Sequence, residues 1–345
     1  MRKLIQFFIV FLVIPIVISC AKQDAPENPY LRGDGSWGSL PASLTWGATS
    51  AIHYAGDDKV WVAYRCGGNR GKNSCDDLTD VDPILLFDTD GNLLHSFGAG
   101  LFVWPHGIYV DQQKNVWVTD AAISSVNRKG NQVHKFSPDG TLLMSLGIAG
   151  AQGNGRYFFN APNDVLIAPN GDIFVADGHS ARTNNRIIKF SSNGKYLMEW
   201  GGVGGEHGKF RVPHALTMDS AGRLFVADRG NSRLQIFDQS GEHLHTWTQF
   251  GRPSDLSIDS NDILYSADSE SNTGPNRNPG WQRGIYIGSV KSGSANDGKI
   301  TAFIPDPNDN PIGTTSHAEG ITADENGNLY GAEVAEKNVR KWTLK

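Results

Sequence analysis

Pro213-His214-Ala215-Leu216, Leu224-Phe225-Val226-Ala227-Asp228 and Arg233-Leu234-Gln235-Ile236-Phe237 are three short apolar runs set apart by turn residues within one stretch of chain. Runs of this length, rich in β-branched and aromatic side chains and bounded by Gly, Asn and Asp, read as antiparallel strands. The first run carries a Pro-His pair and the second ends on an acid.

The same phrase recurs along the chain. Pro105-His106-Gly107-Ile108 is followed by Val116-Trp117-Val118-Thr119-Asp120, and Pro162-Asn163-Asp164-Val165 by Ile173-Phe174-Val175-Ala176-Asp177. Pro253-Ser254-Asp255-Leu256 precedes Leu264-Tyr265-Ser266-Ala267-Asp268, and Ala318-Glu319-Gly320-Ile321 precedes Leu329-Tyr330-Gly331-Ala332-Glu333. A degenerate first copy pairs Ser50-Ala51-Ile52 with Val60-Trp61-Val62-Ala63-Tyr64. Third strands such as Arg186-Ile187-Ile188-Lys189-Phe190 lead through turns such as Asn193-Gly194 into outer strands such as Lys195-Tyr196-Leu197-Met198-Glu199-Trp200-Gly201. Four strands per unit, at a period of about 40 to 60 residues, signal propeller blades. The expected fold is all-β: a six-bladed β-propeller of four-stranded antiparallel blades. The last copy stops after its third strand, so an outer strand from the N-terminal side, near Ser39 to Trp46, is expected to close the ring and cover an open sheet edge.

Repetition places the propeller over residues 41–345 of the 345-residue chain. Charged residues make up 19% and the formal net charge is −5 without a long block of one sign, so no basic stripe marks a nucleic-acid partner. At the N-terminus, Met1-Arg2-Lys3 and an apolar run to Ile18 read as a secretory signal over residues 1–19. The run is shorter than the roughly 20 residues a spanning helix needs. Val17-Ile18-Ser19-Cys20 resembles the lipobox of bacterial lipoproteins, which implies a diacylated Cys20, and Lys22 resembles lipoproteins sent to an outer membrane. The expectation is a monomer in the cell envelope, held to a membrane by its lipid on the periplasmic face, with residues 20–40 as a Pro- and Gly-rich tether. Cys66 and Cys75 share one Gly- and Asn-rich loop and are read as a short-range disulfide, with free thiols as the alternative.

Equivalent repeat positions fall on one ring around a propeller's axis. The residue after the proline-like position is, in blade order, Ser50, His106, Asn163, His214, Ser254 and Glu319. Blades two, four and six thus offer His106, His214 and Glu319, a donor set that suits zinc or a similar divalent ion and leaves a position open. His317, two residues before Glu319, is the alternative third ligand, since residues i and i+2 share a strand face. A second ring follows the acid that ends each second strand and carries Arg65 and Arg229, guanidinium groups able to bind a carboxylate or a developing oxyanion.

At these residues the chain resembles the NHL-repeat propellers, and most closely the peptidyl-α-hydroxyglycine α-amidating lyases. The resemblance runs from about Ile52 to Leu344 and is carried by Leu101-Phe102-Val103-Trp104-Pro105-His106-Gly107, Gly208-Lys209-Phe210-Arg211-Val212-Pro213-His214 and Val226-Ala227-Asp228-Arg229-Gly230-Asn231-Ser232-Arg233. It implies zinc on His106 and His214, a catalytic role for Arg65, a substrate carboxylate at Arg229, and a structural calcium near the backbone carbonyls of Ile52 and Ile108. Three positions depart from the family: Glu319 stands where it has its third zinc histidine, Gly320 where it has a calcium-binding aspartate, and His179 where it has a catalytic tyrosine. His179 is accordingly expected to act as the base, with a metal-bound hydroxide as the alternative. The implied function is a metal-dependent lyase cleaving a carbinolamide C–N bond of a small carboxylate-bearing or peptide-like substrate. A non-enzymatic NHL-repeat scaffold and a lactonase-like hydrolase are the alternatives, the first because a fold does not by itself settle a function.

Overall fold

The computed structural model describes residues 26–69, 72–272, 277–307 and 318–345. Six four-stranded antiparallel sheets succeed one another along the chain. Their innermost strands are Thr49–Gly56, Pro105–Val110, Pro162–Ile167, Pro213–Met218, Asp255–Ile258 and Ala318–Ala323. Each innermost strand packs against those of both neighbouring blades, and the sixth returns to the first, so the ring is closed. The apolar core lies between blades. One cluster joins Phe174, Ala176 and Ile187 of blade three to Leu216, Leu224 and Val226 of blade four. Among the described residues no helix is long and apolar enough to cross a membrane.

The closing strand is Tyr30–Arg32, not the segment from Ser39 to Trp46. Tyr30 pairs with Leu344, Leu31 with Thr343 and Arg32 with Trp342. Tyr30 is buried among Tyr265, Ile285 and Trp342 of blades five and six, which is the apolar seat a closing strand requires. Residues 39–46 instead turn back on themselves, Leu44 N–H donating to the Pro41 carbonyl, and lay Trp46 against Phe87 of blade one. The segment expected as tether therefore contributes its residues 30–32 to the propeller. Residues 1–19 and Cys20 lie outside the described residues. Cys66 and Cys75 are joined as a disulfide.

The acid that ends each second strand has a structural task. Asp120 accepts the backbone N–H groups of Val103 and Trp104 at 2.9 and 2.6 Å. Asp177 likewise accepts that of Asn160, Asp228 that of Arg211 and Asp268 that of Arg252. Each carboxylate thus ties down the loop that enters its own blade's innermost strand. Asp177 and Asp228 are also paired with Arg186 and Arg233 at 3.0 and 2.7 Å. Five of the six innermost strands shift register at or next to the ring residue, four of them between Pro105 and Ile108, Pro162 and Asp164, Pro213 and Leu216, and Ala318 and Gly320. Blade one does the same between Thr49 and Ala51. A bulge re-aims the side chain it carries, and here it occurs at the position that faces the axis.

Two outcomes follow from these anchors. Removing the buried Asp228 carboxylate leaves the Arg233 guanidinium uncompensated, so Asp228→Ala should cost about 3–5 kcal/mol, read as a lowered midpoint in chemical denaturation. Burial pushes Asp120 up to about 7, outweighing its two N–H bonds. Because this folded value lies above the unfolded one, the contribution is complete at low pH and is lost as pH rises towards and through about 7. The Tm of Asp120→Asn, although lower overall, should therefore fall less than that of the wild type between pH 5 and 8.

Candidate metal centre

His106 and His214 occupy equivalent bulges on blades two and four, both almost fully buried. Their ring nitrogens are fixed from behind: His106 Nδ1 bonds the Asn163 carbonyl at 2.9 Å and His214 Nδ1 the Ser254 carbonyl at 2.5 Å. A carbonyl only accepts, so each Nδ1 carries the proton and each Nε2 presents a lone pair, the arrangement that orients imidazole ligands. Burial, followed by the neighbouring Arg229, His106 and His179, holds His214 well below the usual histidine range and keeps it neutral. The local fold therefore prepares two metal-ready imidazoles.

The third member comes from the loop after the second strand of blade three. His179 is half-buried and its Nε2 lies 3.3 Å from His214 Nε2. One ligand nitrogen from each of His106, His179 and His214 falls within 4.8 Å of the others. The three ring centroids are 4.7, 5.0 and 5.2 Å apart. Two nitrogens bound tetrahedrally at a zinc–nitrogen length of 2.0–2.1 Å stand about 3.3–3.4 Å apart. The spacing of His179 and His214 matches that edge. His179, expected from sequence as a base, is thus brought into the ligand cluster.

Glu319, expected as the third ligand, sits beside the cluster. Its Oε1 is 3.5 Å from His214 Nε2 and accepts from Arg229 Nη1 at 3.1 Å, and its Oε2 accepts from the Ser269 hydroxyl at 2.6 Å. The carboxylate is bonded by a cation and a hydroxyl on the edge of the trio. His317 lies outside the described residues. Arg229 is spent largely on this partner, with a further approach of 3.9 Å to Glu270, while its Nε–H is buried without an acceptor among the described residues. Arg65 is buried in blade one and lies across the indole of Trp104 at 4.2 Å; that indole also meets the rings of His106 and His179, each at 5.0 Å. Sequence reasoning quoted Trp104 without giving it a role, although its place two residues before His106 put it at the mouth.

Beneath the ring the channel holds a cavity of about 220 Å³ whose lining includes Ile52, Ile108, Asp164 and Asp255. Gly320 offers no carboxylate, and a Cβ there would stand 2.9 Å from the Ala51 Cα. Carboxylates come instead from blades three and five. Asp164 accepts from Leu216 N–H and Asp255 from Ile321 N–H, each tying its blade to the next. Burial pushes Asp164 up to about 7 and, together with Asp164, raises Asp255 as well. Neither aspartate was singled out from the sequence as a channel ligand.

The architecture and this histidine cluster define a six-bladed propeller with a candidate metal site at one mouth of its channel. The family model for the NHL repeat matches residues 210–237. Human NHL repeat-containing protein 3 is 34% identical over 256 residues, which cover 70% of this chain and 69% of that protein. The chain belongs to the NHL-repeat family. It is also similar to peptidyl-alpha-hydroxyglycine alpha-amidating lyase 1 of Drosophila melanogaster, 32% identical over 58% of this chain and 39% of that protein, so it spans well under half of that relative's length. Among solved structures, a gluconolactonase from Xanthomonas campestris superposes with a TM-score of 0.56 at 15% identity, over 93% of this chain and 99% of that one, a likeness of fold alone.

The geometry separates the ligands from the neighbouring carboxylate. Full-length protein loaded with zinc should carry one equivalent by elemental analysis. His214→Ala and His179→Ala should each lower the affinity by at least about tenfold, whereas Glu319→Gln should keep the metal.

Proposed function

We propose that the chain is a metal-dependent, lyase-like enzyme that cleaves the C–N bond of a peptidyl-α-hydroxyglycine at the channel mouth, releasing a peptide amide and glyoxylate. The observation that carries this reading is the convergence of His106, His179 and His214 on one point, one indole away from Arg65; similarity to the amidating lyases supports it. Neutral imidazoles suit zinc, and the oxygen-rich channel below, with the Ile52 and Ile108 carbonyls and two carboxylates, suits a structural calcium. When bound, zinc supplies Lewis acidity that makes the substrate hydroxyl easier to deprotonate.

The chain's own side chains divide the remaining work. Arg65 binds the substrate carboxylate, and the buried Nε–H of Arg229 is a second donor for it. Glu319, oriented by Arg229 and Ser269, takes the proton of the carbinol hydroxyl. The C–N electrons then pass to the amide nitrogen, which gains a proton as the carbonyl of glyoxylate forms. Sequence reasoning assigned metal binding to Glu319 and proton transfer to His179; in this reading the two exchange places. We further propose that the protein works in the cell envelope as a monomer, tethered through a lipid on Cys20.

The test is direct. Zinc-loaded protein should release glyoxylate from an α-hydroxyglycine peptide, and a chelator should abolish the release. Arg65→Ala and Glu319→Gln should lower kcat/KM by about 10²–10⁴-fold with metal retained. Protein that binds zinc but releases no glyoxylate would exclude this reaction and leave a lactonase-like hydrolysis to be assayed, while protein that binds no metal would favour a non-enzymatic scaffold.

A further inference from the structure

The loop between Cys66 and Cys75 is exposed at its described tip, yet it reaches the site. Asn69 Oδ1 accepts from Arg65 Nη1 at 2.6 Å and from Trp104 Nε1 at 3.2 Å. Two donors converging on one atom identify it as the amide oxygen. The Arg65 guanidinium lies over the same indole at 4.2 Å, and its Nε donates to the Pro105 carbonyl at 3.4 Å, one residue before His106. Arg65, Trp104 and Asn69 therefore form a closed triangle in which two contacts run through Asn69.

Something must hold Asn69 there, because an exposed loop side chain has several rotamers to choose from. The loop is tied at its base by the Cys66–Cys75 disulfide and by the Gly67 N–H bond to the Asn73 carbonyl at 3.0 Å. Asn73 N–H in turn donates to Asp77 Oδ2 at 2.9 Å. The cross-link removes most of the freedom of the segment that carries Asn69.

We infer that Asn69, fixed by the disulfide-closed loop, is a positioning residue that sets the guanidinium of Arg65 against the indole of Trp104 and so aims it at the channel mouth. This rests on the reading of Arg65 as part of the site. An arginine's planar fork gives directional bonds only when its plane is set, and misplacing a binding group by about 1 Å can cost on the order of 10²-fold in rate. Asn69 is exposed and outside the core, so its replacement leaves the fold intact.

The test uses the full chain and a readout that does not depend on turnover. Nine tryptophans give nine indole N–H resonances, and Trp104→Phe assigns the one that matters. Asn69→Leu should shift that resonance and speed its hydrogen exchange, retain zinc, and lower kcat/KM for the α-hydroxyglycine peptide by about 10- to 100-fold. Asn69→Asp, which keeps an acceptor oxygen, should restore most of both. The paired substitution Cys66→Ser with Cys75→Ser should move the same resonance in the same direction. An indole signal unmoved in Asn69→Leu overturns the inference, and so does an Asn69→Leu penalty that is as large in an Arg65→Ala background as in the wild type. An indole unmoved in the double serine variant overturns the disulfide's part. Wild-type protein without lyase activity would count against the proposed reaction alone, since the resonance still reports the triangle.

Discussion

The structure depends on the buried acid that closes the second strand in blades two to five. Asp120, Asp177, Asp228 and Asp268 each accept a backbone N–H from the loop entering the same blade's innermost strand. Such a carboxylate is costly to bury, and the repeat offsets the cost with backbone donors and, in blades three and four, with Arg186 and Arg233. The result is that the innermost strands of blades two to five start from a fixed point. The ring side chains can then be aimed by a one-residue bulge without the strand sliding, because a slip of one residue would turn each of them to the opposite face.

The site's chemistry follows from this anchoring at close range. His106 and His214 share a repeat position, and each takes the same kind of backbone carbonyl from the next blade behind its ring, Asn163 for one and Ser254 for the other. Asn163 is itself held by its side-chain N–H groups on the Gly178 and Pro213 carbonyls at 2.9 and 2.8 Å. Those two bonds join the blade-three ring position to the residue before His179 and to the residue before His214. One amide thus ties the loop that carries His179 to the strand that carries His214, the kind of outer support that fixes ring orientation in metal sites.

Much of the fold was legible in the sequence because it repeats. Blade number, strand order and the phase of the ring positions all come from one phrase written six times, and the structure places His106 and His214 at that phase. What was not legible is what breaks the repeat. The closing strand has no internal copy to align with, and its choice of Tyr30–Arg32 is decided by a tertiary seat for Tyr30 between blades five and six. His179 follows the acid of blade three on a loop with extra residues, so its ring could be assigned a role by position but not a direction. Asn69 and Trp104 meet only through the fold, thirty-five residues apart.

The exchange between His179 and Glu319 has an electrostatic logic. His106, His179 and His214 would hold a dication without cancelling its charge, whereas a carboxylate among the ligands would neutralise half of it. Glu319, beside the trio and tied to Arg229 and Ser269, would leave that charge intact and stand within reach of what the ion binds. Arg229 touches both sides, since its second nitrogen lies 3.4 Å from His179 Nε2. In the proposed reading, a nitrogen from a neighbouring loop would stand in for the histidine that Glu319 replaces, and the carboxylate would take on the proton transfer.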